Sequence, residues 1–259
     1  MTFGLATYFD KLDLSEAIAH ELAVAQFPNR KVPRAGWAEL PLRGLIGDPC
    51  DLERRPVMPA IETLPLRSQR DTSNATFLLP WRDPAKVATA AGIYGLIPAG
   101  EFQPSSVAAW DKENDFDLWR SMVRKYSEES LGEPERDGSQ GEPLDYENWP
   151  LYRDLQAARE KDRVTTYCLG IGLDTLTLTA TVLTAVVMDD DVFDDLYGGA
   201  VDVNVEGVLV TAAESSSVSD GVPFTEDSVT RLLTHEPMAS PCACSLGHAR
   251  RFRSQILER

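Results

Sequence analysis

The sequence predicts a globular fold of the α/β or α+β class, and three observations predict it. Residues 115–132 read as an amphipathic helix, because Phe116, Trp119, Met122, Val123, Tyr126 and Ser130/Leu131 recur at spacings of three and four. Apolar and β-branched runs at 75–79, 93–97, 164–169, 176–188 and 201–210 read as strands. Further helical periods at 14–24, at 151–161 and after Phe224 are interleaved with them.

Composition bounds the function. At 259 residues, with 43% hydrophobic and 25% charged side chains, the chain can bury a substantial core. No run approaches the roughly 18 apolar residues of a membrane helix, and the first residues are interrupted by acids, so no membrane role and a cytoplasmic location are expected. The net charge of -16 repels a phosphate backbone and argues against general nucleic-acid binding. It leaves room for a small phosphorylated metabolite at a local base or metal. Four cysteines are too sparse for a disulfide framework, so reduced thiols are expected.

Taken in order, residues 1–65 read as an amino-terminal extension. It has one helix, carrying Leu14, Ile18 and Leu22, and then prolines from Pro28 to Pro59 that favour irregular structure. His20-Glu21 lacks the second histidine of a zinc protease motif, so a surface role is expected there. Residues 66–259 read as the main domain. The 93–97 strand runs into Pro98-Ala99-Gly100-Glu101, a turn that can set an acid at a sheet edge. In the following polar loop Trp110 is a lid or an anchor. Asp111, Glu113, Asp115 and Asp117 surround the start of the main helix, where caps and solvent-facing charge are expected and one acid serves as N-cap.

Pro150 opens the next helix. Gly170-Ile171-Gly172 lacks the spacing of a phosphate loop and reads as a turn or bulge. The acids from Asp189 to Asp195 read as a cap and solvated charge before a short helix at 192–197, and Thr225 reads as an N-cap. His235, Cys242, Cys244 and His248 do not have the spacing of a zinc knuckle or finger.

The charged face of the 115–132 helix is the strongest functional signal. Arg124 lies one turn before Glu128, and Lys125 one turn before Glu129. A base ahead of its acid is the weaker i,i+4 order, and acids in the last turn oppose the helix dipole, so stability alone does not favour the arrangement. Together with Glu101 and Glu206, these carboxylates are candidates to hold divalent cations that neutralise a diphosphate and activate water.

The segment Arg124-Lys125-Tyr126-Ser127-Glu128-Glu129-Ser130-Leu131-Gly132, preceded by Pro98-Ala99-Gly100-Glu101, resembles the box of the Nudix hydrolase family. In this divergent form Arg124, Glu128 and Glu129 match the family pattern. Lys125 stands where the first glutamate of the family's R-E pair is normally a metal ligand. Gly132 comes one residue late, and the interval from Gly100 to Arg124 is longer than the pattern. The resemblance implies a mixed β-sheet between helices and Mg²⁺- or Mn²⁺-dependent hydrolysis of a nucleoside diphosphate derivative. It assigns Glu128, Glu129 and Arg124 to catalysis, Glu101, Glu128 and Glu129 to the metal, and Lys125 and Glu206 to the substrate. A homodimer is compatible with it. The alternative is a catalytically inactive Nudix-like domain that binds a nucleotide or nucleoside for regulation, with Lys125 contacting phosphate. A purely structural or partner-binding module rests only on the acidic surface and the extension.

Overall fold

The computed structural model describes residues 3–26, 39–69, 74–82, 84–85, 91–138, 141–197, 207–210 and 221–258, with 207–210 described by backbone alone. Two compact units make up the chain: Met1–Ala60 with Ile171–Thr181, and Ile61–Gly170 with Val182–Arg259.

In the first unit, α1 (Tyr8–Gln26) starts from a reciprocal cap. The Asp10 carboxylate accepts from the Thr7 N–H at 3.0 Å, and the Thr7 hydroxyl accepts from the Asp10 N–H at 3.2 Å. Ile18 is fully buried against Ile46 and Leu178. Glu21 reaches from α1 to accept the Leu42 and Arg43 N–H groups, which satisfies orphan donors at the start of α2 (Pro41–Ile46).

The second unit is organised around a mixed sheet flanked by helices. Its strands are β1 (Ala60–Ser68), β2 (Ala75–Phe77), β4 (Ala99–Glu101), β5 (Val164–Leu173), β6 (Ala180–Asp189) and β8 (Val222–Pro223). They run in the order β5-β6-β1-β2-β8, with β4 paired to β1. Leu66 lies opposite Phe77, and Phe77 opposite Val222, both in antiparallel register. A second sheet pairs β3 (Leu79–Arg82) with β7 (Gly207–Val210).

The interior strand β6, between β5 and β1, is buried along almost its whole length because both of its faces are covered. Val186 and Met188 join one core with α4 (Leu118–Lys125), α5 (Pro150–Glu160) and α6 (Asp190–Tyr197). Ala185 and Val187 join the other with α7 (Glu226–His235), α8 (Ser240–Arg251) and α9 (Arg253–Leu257). This period-two division puts Ile61 of β1 in the first core and Leu64 and Leu66 in the second. Burying a side chain such as Val123 or Leu64 contributes ~1.5–3 kcal/mol.

Several expected elements change shape. The 115–132 helix begins only at Leu118, since Asp117 is extended and its carboxylate accepts the Arg120 N–H at 3.0 Å. Phe116 is therefore left outside the packed stripe, 58% exposed, while Trp119, Met122, Val123 and Tyr126 are buried. From Tyr126 to Ser130 the helix widens into a π-helical turn, closed by Leu131 N–H to the Tyr126 carbonyl. The 75–79 run breaks at Leu78 and feeds two sheets. Residues 93–97 form no ladder strand. Tyr94 instead exchanges backbone bonds with Pro237 and Ala239, and the strand begins later, at Ala99. β5 runs straight through Gly170 and Gly172, and the turn comes at Asp174, which accepts the Leu176 and Thr177 N–H groups.

Candidate functional site

The charged end of α4 lies against β4. This strand is held to β1 by Thr63 N–H to the Pro98 carbonyl at 3.1 Å. Gly100 gives the Lys125 stem room to lie close: a Cβ there would stand 2.8 Å from Lys125 Cε and 3.0 Å from Cδ, and the lysine stem would have to shift. With its stem across Gly100, Lys125 places Nζ 2.5 Å from Glu128 Oε2. The two side chains are only 20% and 16% exposed, so their attraction is screened less than that of a surface pair. Glu129 accepts the Ala99 N–H at 2.9 Å and ties the helix end to the strand.

These partners differ from the expected i,i+4 pairs. Lys125 takes Glu128 at i,i+3, and Glu129 takes a backbone donor. The π-helical turn changes the angular offset after Lys125, which is why the helical-wheel pairing fails. Arg124 points inward, 4% exposed, and donates from Nη2 to the Gln103 carbonyl at 2.6 Å. It is an anchor of the chain that leaves β4.

Asp111 and Asp115 are the second departure from expectation. Asp117 is the cap, as one member of the acidic group had to be, but Asp111 and Asp115 are 0% and 2% exposed. Asp115 accepts the Ser105 N–H at 2.6 Å and the Tyr146 hydroxyl at 2.7 Å. Asp111 accepts the Ser106 hydroxyl, and Gly138 packs so closely over it that no side chain would fit there. Burial raises the Tyr146 phenol well above its usual range, opposed by the Arg124 charge and reinforced by donation to Asp115. Three buried charges thus fix residues 103–106, the start of the segment that lengthens the Gly100–Arg124 interval. The four-residue spacing of Asp111 and Asp115 was the available sequence signal. α3 (Ala109–Asn114) completes this segment, with Trp110 45% exposed.

Glu101 is half-buried on β4. Its Oε2 is buried at the end of this short strand. Glu206 lies outside the described residues. The structure therefore brings Gly100, Lys125, Glu128 and Glu129 together, while Arg124 is turned inward. Among the described residues, no three His, Cys, Asp or Glu side chains gather as a metal site. One oxygen of Glu128 is held by an ammonium and one oxygen of Glu129 by an N–H. This donor set does not fit a divalent cation while Lys125 occupies its position.

Other candidates resolve into structural roles. Arg67 pairs with Asp190 at 2.8 Å and Asp194 at 3.2 Å, and Arg163 pairs with Asp191. Reasoning from the sequence missed Glu62 of β1. It is 8% exposed, accepts the Leu96 N–H at 3.2 Å, and is pushed up to about 7 by burial. Its only signal was an acid within an apolar strand.

The class of molecule is thus a mixed α/β protein with a charged helix end docked on a short strand. No protein-family model and no curated protein matches the chain. Among solved structures, it is similar to a Nudix hydrolase from Alicyclobacillus acidocaldarius over 79% of this chain and 96% of that one, at 13% identity and a TM-score of 0.39. It is also similar to a MutT/nudix family protein from Enterococcus faecalis over 72% of this chain and 50% of that one, at 12% identity and a TM-score of 0.27. At these scores the likeness adds nothing to the residue geometry above.

Proposed function

We propose that the chain is a divergent Nudix-like domain that binds a nucleotide or nucleoside without a divalent cation and without turnover. The Lys125–Glu128 ion pair carries this reading, since it sets a positive charge where the box would need a carboxylate and occupies one of the matching glutamates. The box residues Arg124, Glu128 and Glu129 and the Gly100 turn support the Nudix-like part. The test is a panel of nucleoside diphosphate derivatives with Mg²⁺ or Mn²⁺. The expected result is a saturable thermal shift that persists in EDTA, with no release of phosphate-containing product. Metal-dependent turnover that falls at least tenfold in Glu129→Gln would overturn it.

A second reading is favoured by one observation. Glu128 Oε1 is buried and has no hydrogen-bond partner among the described residues, so it is an acceptor that a cation can take if Lys125 moves aside. That reading is hydrolysis of a nucleoside diphosphate derivative, and the same panel decides it.

A further inference from the structure

Residues 92–98 carry the chain into β4, and backbone bonds fix most of their length. Gly92 N–H donates to the Arg82 carbonyl at 2.8 Å, and Arg82 N–H donates to the Ile93 carbonyl at 3.1 Å. Tyr94 exchanges bonds with Pro237 and Ala239, Gly95 N–H donates to the Pro80 carbonyl, and the Pro98 carbonyl accepts from Thr63 N–H. Leu96 is held differently. Its N–H donates to Oε1 of Glu62, a buried acid one residue before Thr63 on β1. Two neighbours on one strand thus clamp the segment, one through its backbone and one through an ionisable side chain. Just beyond the clamp, Ala99 N–H meets Glu129 and Gly100 meets the Lys125 stem. A displacement at Leu96 is passed along this short bonded stretch to the corner where Lys125 holds Glu128.

We infer that Glu62 is a positioning residue for the Gly100 turn, and that loss of its proton loosens the turn and weakens ligand binding at the Lys125 corner. The binding half of this inference rests on the binding-domain reading above; the clamp does not. From β3, Arg82 faces Glu62 and attracts its ionised form. From α8, the buried Cys242 thiol faces it and stays protonated, raised well above its ordinary range by burial and then by Glu62. From β6, the Thr184 hydroxyl reaches only the Glu62 carbonyl. Burial outweighs both the Leu96 bond and Arg82, so ionisation waits until about pH 7. A carboxylate charged against that burial is stabilised by turning toward Arg82 or by admitting water. Either motion draws it off the Leu96 N–H, whereas the protonated acid keeps the clamp closed.

The experiment is a titration of the backbone amide resonances of the full chain from pH 5.5 to 8.5, in wild type and Glu62→Gln. In wild type, Leu96, Ala99 and Gly100 are expected to shift together with one midpoint near 7. Glu62→Gln keeps an acceptor for Leu96 but cannot ionise, so that midpoint should vanish. A wild-type shift confined to Leu96 would sink the clamp, and this is read without any variant. Equal titration of Ala99 and Gly100 in both proteins would sink it too. Calorimetry with the 5′-diphosphates of adenosine, guanosine, cytidine and uridine in EDTA reads the coupling. At least one is expected to bind wild type at least threefold more weakly at pH 8 than at pH 6, beyond any change with Glu62→Gln, since ligand protonation is common to both. Equal pH dependence in the two proteins would sink the coupling. No binding to wild type by any of the four would sink the binding-domain reading, and the amide shifts would still decide the clamp.

Discussion

Replacing Glu62 by glutamine isolates one buried ionisation. Burial pushes this acid from its ordinary 4.5 up to about 7, with the Leu96 N–H and the Arg82 charge pulling the other way. Because the folded-state value is raised, the folded protein holds a proton that the unfolded chain releases between pH 4.5 and 7. Stability is then fully present below about pH 4.5 and falls as pH rises through 7. At about 1.36 kcal/mol per pH unit, that interval corresponds to ~3 kcal/mol lost by pH 8. The glutamine side chain would keep a carbonyl for the Leu96 N–H but cannot ionise. Urea unfolding of both proteins at pH 5 and pH 8 gives the comparison, and the background from the net charge of -16 is common to the two. Wild type should lose ~2.5 kcal/mol more than Glu62→Gln over that range, since part of the loss has already occurred by pH 5. Parallel pH dependences would refute the reasoning.

Two further variants test the support of the site and of the sheet. Asp115→Ala strips the Ser105 N–H and the Tyr146 hydroxyl of their acceptor, so it should cost ~2–4 kcal/mol and lower Tm by roughly 5–10 °C. A calorimetric Tm unchanged from wild type would count against the buried anchor. Thr225→Ala removes the acceptor of the Ser228 N–H at the start of α7 and should cost ~1 kcal/mol, which Thr225→Ser should restore. Equal stability of all three proteins would contradict that cap.

Where a local pattern decides the structure, the sequence was enough. The apolar stripe of Trp119, Met122, Val123 and Tyr126, the Pro150 helix start and the Thr225 cap each follow from spacing or residue chemistry, and each appears in the structure. The β-branched 176–188 run yields β6, although the strand starts only at Ala180. What stayed hidden depended on partners distant in the chain. No local rule directs Tyr94 to bond with Pro237 and Ala239, or splits 75–79 between two sheets. Nor could periodicity foresee the π-helical turn at Tyr126–Ser130, which moves Glu128 onto Lys125 and leaves Arg124 to the interior. The residues of the box were legible. Their pairing was not, because a regular helix was assumed through a stretch that is not regular.

That pairing is the centre of the functional account, and a Mn²⁺ titration followed by calorimetry tests it most directly. Lys125→Glu removes the ammonium that holds Glu128 and adds a carboxylate beside it. The account predicts that Lys125→Glu binds Mn²⁺ at least tenfold more tightly than wild type. Wild type binding Mn²⁺ as tightly as the variant, with Lys125 in place, would contradict it.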